Sequence, residues 1–197
     1  MDNPASAGFG LFNAGGFIFM IVGISLSKKL ADKYGKRDVF GIALFLSTIF
    51  ILVFVFFSPQ DLILMYIAQI LHGFFYGITI PILWAMIADV ADYSEWKTNR
   101  RATAIVFSAM LMGLKAGLSI GGAFITWILS VFNYIEPTDQ NIFIIQSAET
   151  VRGIKLLVSV FPSIFFFIAC ALLFFYKINK KMESQIEKEL AERRNNQ

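Results

Sequence analysis

Charged and hydroxyl side chains are concentrated in residues 84–122, at the junction of two long apolar runs. Lys115 lies 14 residues beyond Arg101, about 20 Å along a helix axis, so its ammonium group would lie deep within an apolar segment. Burying a lysine at this depth in a membrane costs about 3 kcal/mol or more unless the side chain faces a cavity or an ionic partner. We therefore interpret Lys115 as a functional residue facing a cavity, with a structural ion pair to another helix as the alternative.

The helix predicted around Lys115 has two different faces. Gly113, Gly117 and Gly121 recur at spacing four and form a smooth ridge that is typical of close helix packing. Ser119 lies one turn from Lys115 on the roughly opposite, polar side. We expect the glycine face to pack against a neighbouring helix and the polar face to contact solute or water.

A second polar stripe precedes this helix along the chain. Its members recur at helical spacing and so share one face, with Trp84 following them: Gln69, His72, Tyr76 and Thr79. Such groups in a membrane helix either hydrogen-bond to a neighbouring helix or line a polar cavity, and the pattern leaves both alternatives open. No other His or Cys lies near His72 in the sequence, so we expect no metal site there.

Acids and bases flank the junction itself. The acids Asp89, Asp92 and Glu95 precede the bases Arg100 and Arg101, and a further charged segment, residues 28–38, contains Asp32, Lys36 and Arg37. These groups could pair across two connections on the same side of a membrane. The alternative is that they only mark helix ends and the orientation of the chain.

These residues lie in a chain whose composition is that of a membrane protein. Of its 197 residues 57% are hydrophobic and only 16% are charged, and the mean hydropathy is +0.66. Apolar runs of bilayer length, about 20 residues, occupy positions 8–27, 39–57, 62–88, 102–132 and 153–176. We predict an all-α polytopic membrane protein with five spans in residues 1–178, followed by a charged tail over 179–197.

The bases alternate between connections. The connection after the first run has five, the connection after the third has three and the tail has six, whereas the other two connections have none. Lysine and arginine favour the cytoplasmic side, so we expect a multi-pass protein of the cell membrane with its N-terminus outside and its C-terminus in the cytoplasm. We expect the tail to be solvated, with Met182, Ile186 and Leu190 as a thin apolar stripe that could rest on the membrane or the bundle.

No common enzyme signature is present, and the single Cys170 excludes an internal disulfide. We therefore predict no enzyme activity, no metal, no cofactor and no nucleic-acid partner. The opening MDNPASAGFG has the character of the entry to a span that already faces outside, and we expect Met1 to be internal to a longer protein.

Two segments resemble a known family. LADKYGKRDVF at 30–40 is similar to the D-[RK]-x-G-[RK]-[RK] loop of the major facilitator superfamily, and residues 84–122 resemble the glycoside-pentoside-hexuronide:cation symporters. The resemblance implies that the five spans are helices eight to twelve of such a carrier, which would work by alternating access with a sugar or glycoside as substrate and Na+ or H+ as coupling cation. It implies a cation site mainly in the missing N-terminal helices, which would be this chain's partners in the lipid bilayer.

The same resemblance places Lys115 near the sugar and cation sites, and it assigns Asp89, Asp92, Glu95 and Arg101 to a cytoplasmic gate. From their positions in the predicted helices, we add five residues to those involved in translocation: Ser119, Tyr76, Thr79, Trp84 and His72. From their charge and side of the membrane, we add four residues to the gate: Arg100, Asp32, Lys36 and Arg37. Two other classes of protein were weighed against this one: a small membrane scaffold or channel subunit that associates through the glycine ridge, and an intramembrane enzyme.

Overall fold

The computed structural model describes residues 4–136 and 144–195. In chain order the helices are α1 (Pro4–Tyr34), α2 (Lys36–Leu52), α3 (Leu62–Thr98), α4 (Thr103–Val131), α5 (Ala148–Val158), α6 (Val160–Leu172) and α7 (Lys180–Asn195). Short 3₁₀ turns, Val53–Phe56 and Leu173–Phe175, extend α2 and α6. The described ranges contain no strand, in agreement with the all-α prediction. Residues 137–143 of the base-free connection before α5 lie outside the described residues.

Five helical segments are long and apolar enough to cross a membrane: Gly8–Tyr34, Lys36–Phe56, Leu62–Thr98, Thr103–Val131 and Ala148–Phe175. The predicted number of spans is confirmed, but their ends differ from the apolar runs. Residues 89–101, predicted as a loop, are helical as far as Thr98, where Asn99 ends α3 in a left-handed conformation. The difference arises because hydropathy marks where an apolar environment ends, whereas a helix can continue beyond it.

Glycines bring α1 and α3 into close contact. A Cβ atom at Gly73 would collide with the backbone carbonyl of Gly16, and one at Gly77 would collide with the carbonyl of Met20. In return, a Cβ atom at Gly23 would collide with the carbonyl of Phe74. The two backbones therefore touch along several turns, which is the usual role of small residues in membrane helices.

The buried apolar core lies where α2 meets α3. It consists of Val39 and Ala43 from α2 and Ile78, Ile82 and Met86 from α3. Partly buried residues from α1 and from the end of α6 pack around this cluster. The basic start of α2 is thereby fixed beside the charged end of α3.

The last span is interrupted rather than continuous. α5 ends at Val158 and α6 begins at Val160, with Ser159 at the break. Pro162 explains the interruption, because its ring clashes with the carbonyl four residues earlier and it has no N–H to donate. The effect of Pro162 therefore takes the form of a break at Ser159.

The charged tail folds back onto the bundle as α7. Ile186 and Leu190 are only 3% and 5% exposed, although the tail was expected to be solvated. The correction has a simple cause, because α7 packs against α3 and the stripe at spacing four is buried there instead of facing water. Residues 196–197 lie outside the described residues.

Candidate functional site

Lys115 lies on an uncovered face of α4. It lines an open recess with other residues of the same helix: Ser108, Leu111, Met112, Ala116 and Ser119. All six residues are exposed, and none of the ion pairs found within the described residues includes Lys115. The structure therefore keeps Lys115 and Ser119 together, as predicted from their spacing, on a surface that nothing in the described chain covers.

The glycine face of α4 is also open. A Cβ atom added at Gly113, Gly117 or Gly121 would meet no atom within 4 Å among the described residues. The close packing expected for this ridge is thus not found within the described part of the chain. The close contact lies instead between α1 and α3, through glycines at 73 and 77 whose spacing of four carries the same sequence signal.

The polar stripe on α3 does not face a single open space. His72 Nδ1 lies 2.9 Å from Oγ and 3.0 Å from the carbonyl oxygen of Ser47 on α2. Thr79 is buried, and its hydroxyl donates to the carbonyl of Tyr76 at 2.6 Å. The His72 contact with α2 favours the alternative of a hydrogen bond between helices, whereas the Thr79 bond lies within α3. The part of both residues in translocation stays a prediction.

Aromatic stacking connects the remaining stripe residues to neighbouring helices. The Tyr76 ring stacks between His72, at 5.8 Å between centroids, and Phe166 of α6, at 6.2 Å. Trp84 stacks on Phe107 of α4 with 6.5 Å between centroids. Trp84, one of the predicted translocation residues on α3, therefore contacts the helix that carries Lys115.

A three-residue ionic cluster joins α2, α3 and α7. Lys36 Nζ lies 2.7 Å from Asp89 Oδ1 and 2.8 Å from Glu183 Oε1. These side chains are between 12% and 22% exposed, so water screens their attraction only in part. The pair of Lys36 and Asp89, separated by 53 residues in the chain, brings together two of the residues predicted as a gate.

Tyr176 lies next to this cluster, between α6 and α7. Its hydroxyl donates to the carbonyl of Met86 at 3.3 Å. Burial raises the pKa of the Tyr176 phenol, and the negative charges of Asp89 and Glu183 raise it further. The phenol therefore stays protonated and available as a donor at physiological pH.

A second, more exposed charge group lies at the end of α3. Glu95 Oε2 lies 3.1 Å from Arg194 Nη2 of α7 and 3.9 Å from Arg101 Nε. Arg37 pairs with its neighbour Asp38 at 3.0 Å instead of reaching α3. Within the described residues, the side chains of Asp92, Arg100 and Asp32 form no ion pair. The predicted gate residues thus form two separate groups, and four of the eight belong to neither: Asp32, Arg37, Asp92 and Arg100.

Sequence reasoning missed the contribution of α7 to these groups. Trp96 Nε1 donates to Glu189 Oε2 at 2.6 Å, and Glu183 and Arg194 complete the two ion groups described above. The signal was present in the stripe of Met182, Ile186 and Leu190. Periodicity shows that a face is apolar but not which surface covers it.

These features define the class of protein: a polytopic helical membrane protein with a lysine on an exposed helix face and an ionic cluster at one end of the bundle. The chain matches the family described as MFS/sugar transport protein over residues 3–180. It belongs to this family of the major facilitator superfamily, which confirms the resemblance found in the sequence.

Individual relatives agree with this assignment. The chain is 32% identical over 196 residues to the putative glycoside/cation symporter YagG of Escherichia coli K12, covering 98% of this chain and 41% of that protein. It is 27% identical over 189 residues to the glucuronide carrier protein homolog of the same organism, covering 94% and 40%. The inner membrane symporter YicJ of that organism is 31% identical over 144 residues, covering 73% and 30%. The chain therefore spans less than half the length of each of these relatives.

Proposed function

We propose that this chain is the C-terminal portion of a carrier that moves a sugar or glycoside through the cell membrane together with Na+ or H+. The proposal is supported by family membership and by relatives whose names describe glycoside/cation symport and glucuronide transport. In such a carrier two bundles rock about a central site and expose it to each side in turn. The protein would act as a transporter and not as an enzyme.

The uncovered Lys115 face of α4 is the observation that carries this proposal. An ammonium on a helix that crosses the membrane needs a polar partner, and the described chain supplies only Ser108 and Ser119 beside it. Helices from the missing N-terminal portion would cover this face and enclose a cavity. Hydroxyl groups of a bound sugar would then take the place of water around the ammonium.

Lys115 would also couple sugar and cation. α4 contains no carboxylate. We therefore place the cation site on carboxylates of the missing N-terminal helices, opposite the Lys115 face. Without the cation, Lys115 would pair with one of them. A bound cation would displace the ammonium and leave it free to bind sugar hydroxyls.

The charged end of the bundle would be the cytoplasmic gate. Lys36, Asp89 and Glu95 would move as a group when the carrier opens inward, and Trp84, which stacks on α4, would lie between this gate and the lysine site. We propose that the N-terminus of the chain lies outside and that α7 lies in the cytoplasm. In a Cys170→Ser background, a cysteine replacing Lys33 should be protected from an impermeant reagent added outside intact cells, and one replacing Ile145 should react. The reverse pattern would contradict this orientation.

Transport by the complete carrier is the direct test of the proposed function. The full-length protein in liposomes should accumulate a glycoside when a Na+ or H+ gradient is imposed, and collapse of that gradient should abolish accumulation. The present chain alone should accumulate none, because it lacks the bundle against which it would rock. Accumulation by this chain alone, or none by the full-length carrier over a broad panel of sugars and glycosides, would contradict the proposal.

A further inference from the structure

The terminal helix α7 crosses the ends of three membrane helices. At its start, Lys180 Nζ donates to the carbonyl oxygens of Asp32 at 2.6 Å and Lys33 at 3.0 Å, in the last turn of α1. Near its end, Arg193 Nη1 donates to the carbonyl of Trp96 at 3.3 Å and to Asn99 Oδ1 at 2.8 Å, at the end of α3. Carbonyls at a helix C-terminus lack partners and carry partial negative charge, so both bases stabilise the ends that they cap.

Between these two caps, α7 contacts the predicted gate residues directly. Glu183 shares Lys36 with Asp89, and Arg194 pairs with Glu95. Glu189 accepts a hydrogen bond from the Trp96 indole, which is the main reason why the pKa of Glu189 is lowered. That carboxylate is therefore ionised throughout the physiological range and holds the contact.

Buried apolar contact and polar contact act together here. Ile186 and Leu190 are almost fully buried beneath the polar residues, while Glu187 and Lys188 are exposed and form no ion pair within the described chain. A helix that only kept the tail soluble would not need these contacts, in which Lys180 and Arg193 bind the ends of α1 and α3 and Glu183 binds α2.

We infer that α7 is a strap that holds the ends of α1, α2 and α3 as one rigid unit, with Glu183 and Arg194 as positioning residues for the gate. Lys36 is the centre of this arrangement, because its ammonium group pairs both with Asp89 of the bundle and with Glu183 of the strap. While α7 is docked, Lys36 is fixed opposite Asp89, and the charged end moves as a body. The mechanical part of this inference stands on the contacts alone, whereas its consequence for transport rests on the proposed function.

The test uses the full-length carrier with the double variant Glu183→Gln/Arg194→Gln. The matched control is Glu187→Gln/Lys188→Gln, which also removes one acid and one base from α7 but none of these contacts. Hydrogen–deuterium exchange should become faster, by about tenfold, in residues 28–38 and 89–99 of the first variant, because each lost charged hydrogen bond weakens local protection. Exchange in α4 and α6, and in the control throughout, should match the parent.

Transport separates positioning from simple bracing of the fold. At parental abundance, gradient-driven sugar accumulation should fall in the double variant, while exchange of sugar at equilibrium continues. The conservative single variant Glu183→Asp should accumulate sugar like the parent. Unchanged hydrogen exchange would overturn the strap itself. Faster exchange with parental accumulation would overturn the role in gating. A parent that does not transport would overturn the proposed function, and the exchange measurement would still decide whether α7 is a strap.

Discussion

At the scale of single residues, Lys36 and Asp89 form an ion pair between α2 and α3. The pair is 2.7 Å long and mostly shielded from water, and a charged hydrogen bond of this kind contributes about 1.5–3 kcal/mol. The Arg101–Glu95 pair is different, since its distance is 3.9 Å and the Arg101 side chain is 69% exposed. Exposed pairs contribute only about 0–1 kcal/mol.

We predict from this contrast that Asp89→Asn weakens the gate more than Arg101→Gln does. In the full-length carrier, Asp89→Asn should loosen the position of Lys36 in the charged end and should lower gradient-driven sugar accumulation by about tenfold. Arg101→Gln should have a small effect. Asp92→Asn is a matched control. Asp92 lies one turn from Asp89 and carries the same charge, but it forms no ion pair in the described chain. Equal losses in the Asp89 and Asp92 variants, at equal abundance, would show that the pair does not act as a gate.

The sequence identified the residues of this end but not their pairing. Acids and bases flanking two connections could be recognised from composition alone. The pairing of these acids and bases depends on how α1 and α3 are rotated about their axes where they touch. It also depends on Glu183, which lies 147 residues beyond Lys36 in the chain. Neither fact is contained in local spacing.

At the scale of helices, hydropathy predicted the number and order of the membrane spans. It did not predict where the helices end or which of them touch. An apolar run of about 20 residues is a sufficient signal for a membrane span. The helical extension of α3 to Thr98 was not predicted, and the docking of α7 was only an alternative to a solvated tail, because amphipathic or charged helices outside the lipid leave a weaker signal than a membrane span. The small-residue pattern was informative but ambiguous, since both α3 and α4 contain glycines at spacing four and only those of α3 are packed within the described chain.

This difference gives a prediction for the glycines. Gly77→Val should lower the stability of the bundle by about 1–3 kcal/mol or more, because its side chain would push against the backbone of α1 at Met20. The variant should show a lower midpoint of thermal unfolding in detergent and less folded protein in the membrane. Gly10→Val on α1 is the control, since a Cβ atom there meets nothing within 4 Å in the described chain. If Gly77→Val unfolds at the parental temperature, the close contact of α1 and α3 is not important for stability.

At the scale of the whole molecule, two surfaces of the chain have opposite characters. The charged end is crossed by α7 and contains two groups of ion pairs, whereas the α4 face with Lys115 is open along its length. A membrane-spanning helix with no buried residue in its apolar window obtains little stability from its own chain. In our account its partners are the helices of the first half of the carrier, and the site exists only when the two halves meet.

The central claim is that Lys115 couples sugar to cation at that interface. Two variants distinguish coupling from a structural ion pair: Lys115→Ala removes the charge, and Lys115→Arg keeps a charge that does not readily deprotonate and has a different shape. A purely structural pair would leave a carboxylate unpaired when lost and would reduce the amount of folded carrier. Ser119→Ala, on the same face, removes a hydroxyl but no charge and serves as the control.

The decisive measurement compares membrane abundance with gradient-driven sugar accumulation in the full-length carrier. We predict near-parental abundance for Lys115→Ala and Lys115→Arg, with accumulation reduced by about 100-fold or more, on the order of 3 kcal/mol. Ser119→Ala should retain most of the parental accumulation. Parental accumulation in either lysine variant, or a loss of accumulation that follows a loss of abundance, would contradict the assignment of Lys115 as the coupling residue.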